Sequence, residues 1–177
     1  MTLPNTNRRR PTNQGYTLLE AIIYLAVLTV LAMVFISLLF SMTQTYTEFR
    51  LTRAIASSAL LGLERLTREI KQATSLDLVT SNLGAHPGRL VLNTTTADGT
   101  PTTIDFYLSA GSLMVKEGSN AAASTTAALV TVDNLIFQSI NAAESVAVKI
   151  ELTLSASRGQ LSRAEKFYAT AVLRGSY

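Results

Sequence analysis

Residues 15–47 read GYTLLEAIIYLAVLTVLAMVFISLLFSMTQTYT. Within them, residues 21–40 are twenty positions without a formal charge, and eighteen are hydrophobic, Thr29 and Ser37 being the exceptions. At 1.5 Å per residue, a helix of that length matches the roughly 30 Å hydrocarbon layer of a bilayer. Glu20 stands immediately before the run, Gly15 lies five residues before Glu20, and Arg8, Arg9 and Arg10 lie just upstream. Basic residues on the N-terminal flank keep that end in the cytoplasm, so the C-terminal part is expected outside. A cleaved secretory signal has a shorter apolar core followed by a small-x-small site. Here the run is followed by SMTQTYTEFR, which contains no such site.

The chain has 177 residues, enough for one modest domain beside a long helix. Its net charge of +3 comes from the leader, because Arg8, Arg9 and Arg10 are three of its fifteen basic residues and the rest balance the twelve acidic ones. No basic stripe remains for a phosphate backbone, so nucleic acid is not an expected partner. The absence of cysteine excludes disulfides, iron–sulfur clusters and thiolate zinc sites. Residues 1–15, polar and containing Pro4 and Pro11, cannot bury an apolar face and are expected to be disordered or removed.

Gly15-Tyr16-Thr17-Leu18-Leu19-Glu20, with the arginines before it and the apolar run after it, resembles the class III signal of type IV prepilins and pseudopilins. The resemblance implies that a prepilin peptidase cuts after Gly15 on the cytoplasmic face. It also implies that Tyr16 becomes the N-methylated first residue, where the family usually has phenylalanine, and that Glu20 is the fifth mature residue. A carboxylate at the edge of a membrane helix is costly unless it finds a partner or reaches water. By itself Glu20 reads as a side chain snorkelling to the headgroups or favoured by the positive helix N-terminus. Cleavage would create an α-amine at Tyr16, cationic at neutral pH, and the amine of one subunit could then neutralise the Glu20 of its neighbour.

Beyond Thr47 the sequence becomes charged but keeps a helical period. Ala59, Leu63, Leu66, Ile70 and Ala73 recur along one face, and Glu64/Arg68 and Arg65/Glu69 are i,i+4 pairs expected on the polar side. No proline interrupts residues 12–86, so one helix is expected over about residues 17–73. Asn82, Gly84, Pro87 and Gly88 mark a connection. Strand signals follow at residues 89–93, in the alternation of Ile104, Phe106 and Leu108, and at Leu113 and Val115 across a tight Ala110-Gly111 turn. Residues 119–128, SNAAASTTAA, read as an exposed loop. Residues 129–132 and 135–140 read as strands broken at Asp133-Asn134. The clearest alternation is Val146, Val148, Ile150, Leu152 and Leu154, and Phe167, Ala169, Ala171 and Leu173 give the last.

A long helix followed by about seven strands defines an α+β class, with the helix packed on an antiparallel β-sheet head. This order also resembles the type IV pilin fold. The stretches LERLTREIKQAT, NLIFQSI, VAVKIELTLS and KFYATAVLR look most like the J-type minor pseudopilins of type II secretion and related minor pilins. The organisation so implied is a cleaved cytoplasmic leader (1–15), a transmembrane and assembly helix (16–45), its amphipathic continuation (46–75) and a β-rich head (76–177).

Chemistry-bearing constellations are absent. His86 is the one histidine and sits in a loop signal, and no Ser-His-Asp grouping, HExxH or P-loop occurs, so an enzyme is not expected. Some pseudopilin heads hold calcium, but Asp98, Asp105, Glu117 and Asp133 have no spacing that gathers the six to eight oxygens calcium needs, so neither metal nor cofactor is expected. The expected function is that of a minor pilin or pseudopilin that helps initiate or cap a type IV pilus, competence pilus or type II secretion pseudopilus. Its partners would be the peptidase, other pilin subunits, the inner-membrane assembly platform and membrane lipid. The alternative is a single-pass, signal-anchored surface protein whose β-head binds a ligand and never polymerises.

Overall fold

The structure, a computed structural model, describes residues 17–142 and 145–174. Helix α1 (Leu18–Gln72) is followed by β1 (Ser75–Leu76), β2 (Arg89–Thr95), β3 (Pro101–Ser109), β4 (Ser112–Glu117), β5 (Ala123–Ser124), β6 (Val130–Ala142), β7 (Ser145–Arg158) and β8 (Leu161–Val172). The chain divides into two compact units between Gln44 and Thr45.

The first unit is the apolar half of α1. Thr17 caps it: its side-chain oxygen accepts from the Glu20 N–H at 3.3 Å, and its carbonyl accepts from the Ala21 N–H at 3.1 Å. The most apolar window of this helix is 0% buried, and the helix is long and apolar enough to cross a membrane. The hydroxyls of Thr29 and Ser37 donate to the carbonyls of Leu25 and Met33 one turn back, at 2.5 and 2.9 Å. Polar atoms in an apolar stretch are thereby satisfied without a second chain.

The second unit is an α+β domain in which the remainder of α1 packs on two antiparallel sheets. Sheet one has the order β1-β2-β3-β4-β5 and sheet two β6-β7-β8, each a meander of neighbours in sequence. The helix contributes Leu51, Ile55, Ala59, Leu66 and Ile70 to the core, joined by Leu90, Leu92, Phe106 and Leu113 of sheet one and Leu135, Phe137, Ile150, Leu152 and Leu154 of sheet two. These sheet residues follow the period of two that puts alternate side chains on one face. Ala110 and Gly111, with φ of 49° and 73°, close the β3–β4 hairpin as expected. This is the left-handed pair that a two-residue turn needs. The break at Asp133-Asn134 is a bulge inside the single strand β6.

Three local expectations require correction. Residues 119–128 are not wholly a loop: β5 pairs with β4, and Thr126 is buried, its Oγ1 accepting from the Leu113 N–H at 3.3 Å. The same segment meets the helix, where the buried Ser58 Oγ accepts from the Ala127 N–H at 3.3 Å. Glu69 does not lie on the polar side but is 8% exposed, with Arg65 Nε 2.9 Å and Arg68 Nε 3.9 Å from its Oε1. Leu63 is only half-buried, while Leu51 and Ile55 extend the buried stripe toward the N-terminal end of the second unit.

The two sheets are tied along the outer edge of β6. Gly84 and Gly88 donate their N–H groups to Phe137 O and Leu135 O at 2.7 and 2.8 Å, and Val132 donates to Gly111 O at 2.7 Å. A Cβ on Gly88 would stand 2.8 Å from Leu135 O, so this approach of backbone to backbone requires glycine.

Candidate functional site

Gly15, Tyr16 and the cluster Arg8, Arg9 and Arg10 lie outside the described residues. Glu20 lies within them, at the third position of α1 after the Thr17 cap. Its Oε1 accepts a 2.7 Å hydrogen bond from the Tyr24 hydroxyl, one turn on. A helix start carries partial positive charge from its unpaired N–H groups, which favours an acid there. One tyrosine uses one of the roughly four lone-pair positions of a carboxylate, which leaves room for a further, cationic donor. Tyr24 was missed by sequence reasoning, though its i,i+4 spacing from Glu20 was the available signal.

From Glu20 onward the surface is apolar. Leu25, Leu28, Leu31, Phe35, Leu38 and Phe40 are all exposed. An exposed apolar surface of this extent marks a membrane or protein contact.

Of the residues weighed as catalytic or metal-binding, four make contacts within the fold: His86, Asp105, Glu117 and Asp133. His86 is an anchor: its Nδ1 accepts from the Leu135 N–H at 3.1 Å, joining the 84–88 connection to β6. Asp105 holds Arg89 through two bonds, at 2.7 and 3.1 Å, and raises the guanidinium pKa above its ordinary value. Glu117 pairs with Arg65, and Asp133 accepts from Ser155 Oγ at 2.9 Å. Asp98 is exposed in the β2–β3 turn. Asp77 shapes the chain after β1: the Thr80 hydroxyl, then the Thr80 and Val79 N–H groups, bond its carboxylate and hold its pKa below the usual range. Among the described residues no three of His, Cys, Asp and Glu gather as a metal site.

In the second unit an open groove of ≈ 730 Å³ runs between the flank of α1 and the margin of β8, floored by Ala56, Leu60, Leu63, Thr67 and Phe167. Sequence reasoning had no signal for it, because the periodicity of a helix tells which face is apolar but not how wide the partner sheet is.

Compared with protein-family models, curated proteins and solved structures, the chain matches none.

Proposed function

We propose that this chain is a minor pilin or pseudopilin: a subunit held in the cytoplasmic membrane by the apolar half of α1, its N-terminus in the cytoplasm and its β-head outside. It is trimmed after Gly15, methylated at Tyr16, and inserted through α1 into a pilus or pseudopilus whose assembly it initiates or caps. The observation that carries this reading is the pairing of a wholly exposed apolar half-helix with an acid at its first turn. Headgroups and the helix N-terminus would tolerate a carboxylate at the edge of the apolar surface. A neighbouring subunit's terminal amine would give it a specific partner.

A second reading, an anchored surface protein that binds a ligand and does not polymerise, draws support from the groove beside β8. Intact-mass measurement of the membrane-extracted protein separates the two. Expected is a chain starting at methylated Tyr16, with cleavage blocked by Gly15→Leu. A chain still carrying residues 1–15 would overturn the pilin reading.

A further inference from the structure

Sheet two has one sealed edge and one open edge. Leu173 donates to Val146 O at 2.9 Å, and the register pairs Ala147 with Val172 through to Arg158 with Leu161. Narrow and wide pairs alternate along an antiparallel ladder, so the odd-numbered residues of β8 bond to β7. The even-numbered ones, Ser162, Ala164, Lys166, Tyr168, Thr170 and Val172, direct their N–H and C=O groups outward, and all six are exposed. Among the described residues no strand pairs with that edge. A free edge of this length is a template for another strand.

The groove lies where such a strand would run. On the helix-facing side of β8, Phe167 and the α1 flank of Ala56, Leu60 and Leu63 present apolar surface, with Leu60 68% exposed. At the far end Lys71 and Arg174 line a continuing depression beside Thr170 and Val172, and no ion pair among the described residues engages either cation.

We propose that β8 is a strand-addition site for an extended segment of a different polypeptide. Apolar side chains at alternate positions of the segment would fill the groove, and acidic residues at one end would meet Lys71 and Arg174. Backbone pairing supplies affinity in this mode, and alternate side-chain pockets supply selectivity. A second copy of this chain fits poorly. Its β6 edge is closed by residues 84–88 and Gly111. Antiparallel β8–β8 pairing would set the start of the copy's β8, with Arg163, against the Lys71 and Arg174 end, where the proposed segment needs an acid. Parallel pairing about a two-fold along the strands would turn the solvent face of the copy, with Lys166, onto the apolar groove. The proposal does not depend on polymerisation.

The test uses the full chain in lipid nanodiscs, panned against a displayed library of linear peptides. Expected is enrichment of sequences alternating apolar residues and carrying Asp or Glu at one end, with amide exchange slowed at Lys166, Tyr168 and Thr170 when they bind. N-methylating alternate peptide amides should weaken binding roughly tenfold or more in one register and little in the other. Lys166→Pro removes an outward N–H without touching the β7 ladder and should weaken binding similarly. Leu60→Asp should do the same through the groove. The proposal is overturned if nothing is enriched, if the enriched peptides are helical, or if both N-methylation registers bind alike. It is also overturned if the chain itself dimerises in a manner abolished by Lys166→Pro.

Discussion

Glu20 sits in the first turn of α1 with one oxygen on the Tyr24 hydroxyl. On the proposed function, its work is to accept a cation from a neighbouring subunit. Glu20→Val should therefore leave cleavage and membrane insertion intact while filament incorporation falls severalfold, and Glu20→Asp should lose less. Quantitative immunoblots of sheared filaments against the membrane pool measure this, and wild-type incorporation of Glu20→Val would reduce Glu20 to a snorkelling side chain. A second acid poses a different problem. The Arg65 Nε is 2.9 Å from Glu69 Oε1, yet this buried nitrogen makes no well-angled hydrogen bond, so the pair is held by charge. Removing one partner of a buried pair costs about 3–5 kcal/mol. The Arg65 side chain is 32% exposed, and Arg68 stands by as a weaker cation. Arg65→Met is thus expected to cost about 3 kcal/mol, the low end of that range, in urea unfolding. Adding Glu69→Gln should recover part of it, since the buried stranded charge is gone and only the exposed Glu117 is left without Arg65.

At the scale of elements, the second half of α1 is a structural wall of the head. Leu51, Ile55, Leu66 and Ile70 are fully buried in it, and each such side chain contributes about 1.5–3 kcal/mol. Their sum is comparable to the roughly 5–15 kcal/mol that stabilises a whole domain. A chain beginning at Thr47 retains all four and should be soluble, monomeric and cooperatively folded. One beginning at Leu76 should not fold, as read by thermal melts and sedimentation, and a stable monomer from Leu76 would refute the packed-helix account. Much of this architecture was legible. The alternation of Val148, Ile150, Leu152 and Leu154 marks β7 because a half-buried strand leaves that trace. Ala110-Gly111 marks a hairpin because few residues accept its dihedrals. What stayed hidden depends on partners. Nothing in SNAAASTTAA alternates, so β5 and the buried Thr126 exist only because β4 and Ser58 offer them hydrogen bonds. The Arg65/Glu69 pair was legible from its i,i+4 spacing, but the burial of Glu69 was not, because helical spacing does not say how far the partner sheet reaches over that face. Alternation also says which face of a strand is inner and nothing about which sheet it joins, so the division into two sheets could not be read. For Glu20 the position was legible, whereas its Tyr24 partner lay unnoticed within an apolar run.

For the molecule as a whole, the chain joins an apolar half-helix to a folded head. Glycine and proline are absent from residues 21–40, and α1 is continuous through them. Neither residue is there to unwind the helix during packing. On the proposed function this suits a scarce initiating subunit. Mass spectrometry of sheared filaments should find it far below the major subunit, and deletion should cut filament number sharply; finding it most abundant would overturn that role. Its helix also has a property that follows from the hydroxyls. In residues 21–40 the only side-chain donors belong to Tyr24, Thr29 and Ser37, and each donates to its own helix, to Glu20, Leu25 and Met33 respectively. With these three donors already engaged, the stretch has no side-chain hydrogen left to direct at a neighbour, and would meet one chiefly through the shape of its apolar surface. On the proposed function, sliding past an adjacent helix by a turn would break nothing specific along its length, so axial register would have to be fixed by a latch at each end: the carboxylate at one, the head at the other.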